Sequence, residues 1–326
     1  MRHVSIEICQ RCPNKCIHCS SASSKECNTY ISIEKLKEIV DGLKLLEAKS
    51  ISISGGEPFL HSGLLDIVSY INSKGIDISI YTSGIVFNEY GEYSSLDGKV
   101  ISKLSKIGVN KLIFNVQSLK EERYDEIMQT KGNLPLLMES IKLCKENNIF
   151  TEIHFVPMKL NIDEIDDMIN FVGKFNLDML SFLGLVPHGR AKDNEEKILL
   201  DDETSDMIKK KLNELINEKT RVGIPLQVDD SECSCYAGKE KLYVKFDGTV
   251  YGCEAFKYIP LCDDDNNEII PDSIHDRRIE VIFMNSKYLQ AEAKFIEEQK
   301  KVLNSPEKCP VQRCLRCKGG NRANKK

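Results

Sequence analysis

Six short runs of branched and aromatic residues, each followed by a stretch with helical spacing of apolar positions, constrain this chain more than any other feature. The runs are Val4 to Cys9, the segment holding Ile51 and Ile53, Ile76 to Tyr81, Lys111 to Val116, Ile149 to Val156, and Leu177 to Leu183. Between the first two, Leu36, Ile39, Val40, Leu43 and Leu46 recur every three or four residues, with Ser32 placed to cap the helix they imply. Similar stripes run from Leu64 to Ile71, Val100 to Leu104, Leu134 to Ile141 and Ile165 to Val172, and a further one holds Met207, Ile208, Leu212, Leu215 and Ile216. Strands alternating with amphipathic helices predict an α/β fold with a parallel sheet and right-handed crossovers. Periodicity leaves open whether the sheet is flat or curls into a barrel. In either case a ligand is expected beyond the carboxyl ends of the strands.

The first strand end carries Cys12, Cys16 and Cys19 in the spacing C-x3-C-x2-C. Three thiolates from one loop suit a 4Fe-4S cluster with one iron lacking a protein ligand, whereas structural zinc takes four ligands in a closed tetrahedron. A zinc knuckle or three unpaired thiols is the alternative. Cys9 comes too early and reads as a small buried hydrophobe. No apolar run reaches the roughly eighteen residues of a spanning helix, so a cytoplasmic protein is expected. There, thirteen cysteines point to metal or redox chemistry rather than disulfides. With 45 basic against 50 acidic residues, well mixed, neither a nucleic acid nor a membrane is an expected partner.

The cysteine spacing, with His18 just before the last thiol, and Gly55-Gly56-Glu57-Pro58 after the second strand resemble the radical S-adenosylmethionine (SAM) superfamily. The resemblance implies a partial (β/α)6 TIM-like barrel and a SAM-binding 4Fe-4S cluster on Cys12, Cys16 and Cys19, with His18 in the family's aromatic position. It also implies reductive cleavage of SAM to a 5'-deoxyadenosyl radical that abstracts a substrate hydrogen. The family's G-G-E motif holds the amino group of the SAM methionine, for which glycines let backbone approach and a carboxylate or carbonyl accepts from the ammonium.

In Tyr81-Thr82-Ser83-Gly84, Thr82 and Ser83 fall where relatives often carry T-N-G. Asn115 and Gln117 stand where relatives place a serine and an aspartate, keeping hydrogen-bonding capacity but losing the carboxylate. A satisfied polar turn is the other reading of each. By alternation Glu152, His154 and Val156 share one face of the fifth strand, where His154 either meets SAM or substrate or is a satisfied core residue. Pro187-His188-Gly189-Arg190 resembles a P-x-G-R turn of some relatives, and Arg190 could anchor a carboxylate through its planar fork or form a surface ion pair.

The radical SAM core is assigned to residues 1–220 and a small α+β domain to 221–326. In the latter, Lys241 to Phe246 and Thr249 to Cys253 are joined by Asp247-Gly248, a strong hairpin signal. Cys262 to Glu268 reads as a solvated loop and Ile279 to Leu303 as helix, before Cys309, Cys314 and Cys317. Cys235-x12-Gly248-x4-Cys253 and the late C-x2-C pair resemble the SPASM and twitch auxiliary-cluster domains. By that resemblance Cys235, Cys253, Cys314 and Cys317 would hold one auxiliary 4Fe-4S cluster. A zinc ribbon on the same thiols is the rival. Cys233 and Cys309 are spare, and Cys233 could donate a hydrogen atom to a substrate radical. Cys144, on a helix stripe, is expected in the core.

Many relatives with such domains modify ribosomally made peptides by crosslinking, oxidation or epimerisation, and that is the expected class here. The first strand opens at residue four and leaves no N-terminal module to grip a leader peptide. A separate leader-recognition protein would answer this, as would a small-molecule substrate such as an amino sugar or alcohol. A reductant such as ferredoxin or flavodoxin is also expected. A non-catalytic metal-binding regulator or electron carrier is the third possibility, against which Gly55-Gly56-Glu57 argues, since a carrier needs no SAM pocket.

Overall fold

The computed structural model describes residues 1–223, 226, 237–263 and 265–303. In chain order the strands are β1 (His3–Glu7), β2 (Ser50–Ser54), β3 (Asp77–Thr82), β4 (Ile85–Phe87), β5 (Tyr93–Ser95), β6 (Lys111–Asn115), β7 (Phe150–Phe155), β8 (Met179–Phe182), β9 (Thr220–Val222), β10 (Lys241–Val244), β11 (Val250–Tyr251), β12 (Leu261–Cys262) and β13 (Glu268–Ile269). The helices are α1 (Ile33–Leu45), α2 (Leu64–Ser73), α3 (Gly98–Ile107), α4 (Glu121–Met128), α5 (Leu134–Glu146), α6 (Ile165–Lys174), α7 (Arg190–Asp193), α8 (Glu195–Ile198), α9 (Asp202–Glu214), α10 (Ile279–Asn285) and α11 (Lys287–Leu303). None of the described helices is long and apolar enough to cross a membrane.

One sheet carries the molecule, in the order β11-β10-β1-β2-β3-β6-β7-β8-β9. From β10 to β9 every neighbouring pair is parallel, and only β10 and β11 are antiparallel. The six expected strands are β1, β2, β3, β6, β7 and β8. Side chains alternate across them. Val4 and Ile6, Ile51 and Ile53, Ile78 and Ile80, Leu112 and Phe114, Ile153 and Phe155, and Leu180 and Phe182 fall on one face and are buried in the main core. Helices α2, α5 and α6 pack on this side against β3, β7 and β8. The opposite face reads Ser5 and Glu7, Ser52 and Ser54, Ser79 and Tyr81, Ile113 and Asn115, Glu152 and His154, and it is mostly polar. Residues of that face from β1, β3, β6, β7 and β10 line a single cavity, which a flat sheet could not arrange. The sheet therefore curls into a partial barrel with a polar interior.

That interior is hydrogen-bonded rather than bare. Glu152 accepts from His154 Nε2 at 2.9 Å, Ser181 Oγ at 2.6 Å, Lys111 Nζ at 2.5 Å and Arg221 Nη2 at 3.3 Å. These partners outweigh the effect of burial and hold its carboxyl well below the ordinary range. Outside the barrel, the Ser32 cap is present, its Oγ accepting from Lys35 N at 3.2 Å, and Cys144 is fully buried.

The structure differs from the sequence reading in four places. The Asp247-Gly248 hairpin forms as β10 and β11, but β10 pairs with β1 and so extends the core sheet. A second, smaller hydrophobic cluster, including Tyr251, Phe256, Tyr288 and Ile296, packs beside it. The expected helix from Ile279 is broken at Ser286, which lies between α10 and α11 in extended conformation. The expected solvated loop at Cys262 holds the small β12–β13 ladder. Finally, the polar, serine-rich composition of Ser20 to Tyr30 reads as an exposed loop, but Ser21, Ser23 and Ser24 within it are buried.

Gly173, inside α6, has nothing within 4 Å of the position a Cβ would take. Gly173→Ala is expected to stabilise the protein by a few tenths to about 1 kcal/mol, read as a small rise in Tm, because alanine loses less backbone entropy in a helix.

Candidate active site

The cysteine loop is seated on three sides by backbone. Gly56 N donates to Cys9 O at 2.7 Å and Glu57 N to Arg11 O at 2.8 Å. Lys15 N and Ile17 N donate to the carbonyls of Met128 and Ile127 at the end of α4. Arg190 closes the third side: its N donates to Cys19 O at 3.1 Å, its Nε to Cys16 O at 2.9 Å and its Nη2 to Ser23 O at 2.6 Å. A Cβ on Gly55 would meet Cys9 O at 2.3 Å, and one on Gly56 would meet Arg11 O at 2.2 Å. Gly55 also has φ +146°, a region closed to other residues. In the structure the two glycines therefore admit the neighbouring cysteine loop, a close approach the sequence reading assigned to the cofactor.

The loop opens on a cavity of about 350 Å³ at the carboxyl ends of the strands. Cys12, Cys16, His18 and Cys19 line it from the loop, Gly55 and Gly56 from the end of β2, and Thr82 and Ser83 from the end of β3. Asn115 joins from β6, His154 from β7, where it stacks edge-on to Tyr81 with ring centroids 5.3 Å apart, and Arg190 from the start of α7. Eleven of the expected residues thus converge on one space.

Four expected residues stand apart from the ligand-facing surface or are otherwise engaged. Glu57 is fully buried; its Oε1 accepts from Thr82 Oγ1 at 2.9 Å and Phe59 N at 3.2 Å, and its Oε2 from Ser83 N at 2.7 Å and Ser83 Oγ at 2.6 Å. The carboxylate thus holds the Thr82–Ser83 turn in place rather than meeting a ligand. Pro58 opens the short 3-10 turn Pro58–Leu60 and is itself buried. Gln117 is buried between β6 and β7, its Oε1 accepting from Val156 N at 3.0 Å and its Nε2 donating to Asn115 Oδ1 and to His154 O at 3.3 Å. Arg190, expected either to anchor a carboxylate or to form a surface ion pair, is instead directed at loop carbonyls.

Cys253 does not line the cavity, although its neighbour Glu254 does. Cys253 Sγ accepts from Lys241 Nζ at 3.7 Å. The other expected auxiliary residues, Cys233, Cys235, Cys314 and Cys317, lie outside the described residues, as does Cys309.

Electrostatics favour an electron-poor metal group at the loop. Burial pushes the Cys12 thiol well up and the Cys16 thiol to about 12, with the neighbouring thiols adding to the rise. Three ionised sulfurs are tolerable here only against compensating positive charge, which an iron–sulfur core supplies. Among the described residues no three such side chains close on one point as a ready-made site for a single ion. Burial, with Arg190 second, lowers His18 to about 4, so it faces the cavity as neutral imidazole. Burial also raises the Glu57 carboxyl to about 7 against the pull of its four donors.

Glu57→Gln replaces a two-oxygen acceptor by one oxygen and an NH2 that points at donors. The expected outcome is a loss of about 1–3 kcal/mol, seen as a Tm lower by several degrees, together with weaker SAM binding through the displaced Ser83 turn.

Residues not singled out as site candidates from the sequence also line the cavity, among them Glu7, Tyr81, Tyr243, Glu254 and Lys257. Glu7 carried a signal, since it is an inward-phase carboxylate on a strand that otherwise alternates small and apolar residues. Lys257 carried none, because its place depends on how the segment after β11 folds back.

Residues 6–172 match the family model described as the Radical SAM superfamily. A GTP 3',8-cyclase of Clostridium perfringens (strain SM101 / Type A) is 29% identical over 227 residues, covering 67% of this chain and 65% of the cyclase. The antilisterial bacteriocin subtilosin biosynthesis protein AlbA of Bacillus subtilis (strain 168) is 28% identical over 193 residues, covering 59% of this chain and 41% of AlbA. The chain thus spans less than two thirds of the length of either curated relative. Streptococcus suis SuiB bound to S-adenosylmethionine shares the fold with a TM-score of 0.74 at 17% identity, over 95% of this chain and 73% of SuiB. SuiB bound to its precursor peptide SuiA gives 0.69 at 16% identity, over 95% and 70%.

Proposed function

The chain belongs to the radical SAM superfamily, and on that premise we propose that it binds SAM and a 4Fe-4S cluster at Cys12, Cys16 and Cys19 to modify a peptide substrate. When bound, these groups supply one-electron cleavage of SAM to a 5'-deoxyadenosyl radical that takes a hydrogen atom from the substrate. The protein's own part is positional. Arg190, Gly55 and Gly56 seat the loop; Glu57 fixes the turn of Thr82 and Ser83; Asn115 and His154 offer polar atoms into the same space. The observation that carries the reading is this convergence of three thiols with the ends of β2, β3, β6 and β7 on one cavity.

Relatives of both kinds are similar to this chain, one named for GTP cyclisation and one for bacteriocin biosynthesis. The lining charge supports the peptide. Among the described lining residues the basic side chains are Arg190 and Lys257, both already hydrogen-bonded within the protein, and the acidic Glu7 and Glu254 line the same cavity. A triphosphate would meet no uncommitted cation there. An auxiliary 4Fe-4S cluster on Cys235, Cys253, Cys314 and Cys317, a ferredoxin or flavodoxin reductant, and a separate leader-recognition protein belong to the same proposal. So does Cys233 as a hydrogen donor, should the reaction be redox-neutral.

The test is anaerobic incubation with SAM, dithionite and either GTP or candidate precursor peptides, with products identified by mass spectrometry. A peptide changed in mass, with 5'-deoxyadenosine formed in proportion, is the expected result. Conversion of GTP instead would establish the cyclase reading, and turnover of an amino sugar or alcohol the small-molecule one.

A further inference from the structure

One wall of the cavity, built by β1 and β10, is engaged by none of the SAM-binding candidates, and a role for it in substrate binding rests on the proposal that a substrate shares this cavity with SAM. Pairing of β1 with β10 sets Tyr243 opposite Ser5, two residues before Glu7 on the same face. Glu7 and Tyr243 line the cavity and are 4% and 3% exposed. Glu7 Oε1 accepts from Ser21 Oγ and from Lys257 Nζ, the latter at 3.1 Å. Glu7 Oε2 and the Tyr243 hydroxyl have no partner at full hydrogen-bond geometry, and the hydroxyl lies close to the Glu7 carboxylate and to Ser21 without meeting either squarely. Burial, with the Glu7 carboxylate second, raises the Tyr243 hydroxyl well above its ordinary range, so it stays a phenol. Two buried polar atoms left without a good partner on one wall are costly in a folded chain, and a ligand that pairs them removes the cost.

The charge on this wall is already balanced. Lys257 is 1% exposed, and besides Glu7 it donates to Ser21 Oγ at 2.7 Å and Ser20 Oγ at 3.4 Å, which uses all three of its protons. Its ammonium also sits 4.9 Å over the Tyr243 ring. No donor is left on Lys257 for an anion, and Glu7 repels one.

We infer that Glu7 Oε2 and the Tyr243 hydroxyl form a substrate subsite for an uncharged group that donates to the carboxylate and accepts from the phenol, as a peptide backbone amide does. Tyr243 and Glu7 are positioning and specificity residues in this scheme, and neither takes part in hydrogen abstraction.

Replacing Glu7 or Lys257 strands its partner as a buried unpaired charge, so the informative variant is Tyr243→Phe, which removes only the hydroxyl and leaves the Glu7–Lys257 pair intact. Cluster-reconstituted, SAM-loaded protein is titrated with acetyl-triglycine amide, glucosamine and GTP by ligand-observed NMR, and thermal melts are run in parallel. The expected result is binding of the capped peptide, weakened roughly three- to tenfold in Tyr243→Phe, with a Tm no lower than wild type. A merely structural tyrosine would give the reverse pattern. Equal peptide affinity in the variant, or a Tm lower by several degrees, overturns the subsite and leaves the peptide reading standing. Binding of glucosamine alone, weakened by the substitution, keeps the subsite and overturns the peptide reading. Binding of GTP alone, at unchanged strength in the variant, overturns both.

Discussion

The triple substitution Cys12→Ala/Cys16→Ala/Cys19→Ala is expected to lower iron by about four atoms per chain and to bring 5'-deoxyadenosine formation to background. Its effect on activity should be the most severe of all, because in the proposed function this loop supplies every protein ligand of the SAM-binding cluster. Cys9, the nearest spare cysteine, is directed away, its Sγ donating to Glu57 O at 3.3 Å. The fold should survive, since the loop is held through backbone bonds to Gly56, Glu57, Ile127 and Arg190 rather than through the thiols. Iron and sulfide analysis with quantified 5'-deoxyadenosine, beside a thermal melt, separates loss of the cluster from loss of fold. The iron that stays behind reports on the C-terminal cysteines. About four atoms left would support the auxiliary cluster, whereas zinc in their place would make that region a structural ribbon.

Gly56→Ala should come next in severity although it removes no ligand. The added methyl would lie 2.2 Å from Arg11 O and 2.3 Å from Gln10 O. Both are backbone atoms, which cannot swing aside as a side chain would, so the cysteine loop must retreat by about 1 Å. That retreat breaks Gly56 N to Cys9 O and Glu57 N to Arg11 O, the two bonds that join the loop to the end of β2. A cost of about 1–3 kcal/mol is expected from the overpacking itself. The larger expected effect is on assembly: iron content and SAM cleavage should fall at least about tenfold, as a misplaced ligand set does to metal affinity. Gly173→Ala, where the same methyl meets open space, is the control. Full iron loading and unaltered cleavage in Gly56→Ala would show that the loop tolerates the shift, and the account of the two glycines would fail.

Much of this was readable in the linear chain because it depends on local periodicity. A run such as Ser50-Ile51-Ser52-Ile53-Ser54 dictates a strand with one apolar face, and the neighbouring stripe dictates a helix to cover that face. That Cys12, Cys16 and Cys19 would face one space was legible from their spacing, since residues of one short loop need no tertiary information to be brought together. Gly55-Gly56 was legible as a place of close approach, but what approaches was not: the partners are the carbonyls of Cys9, Gln10 and Arg11, on a different strand end. Glu57 and Gln117 had the right chemistry just beyond the strand ends, yet both side chains are buried in the wall, where partners within the protein occupy them.

Spacing within a few residues was thus enough to specify the α/β alternation, the clustering of three cysteines on one loop and the strand ends that line the cavity. It could not specify that the hairpin after Lys241 joins the core sheet beside β1, nor that Lys257 reaches Glu7 across 250 residues of chain; those are outcomes of the three-dimensional fold. A buried charge is tolerated only opposite a counter-charge, and which strands lie side by side determines where that counter-charge is found. Strand adjacency is a property of the curled sheet as a whole and of no single segment.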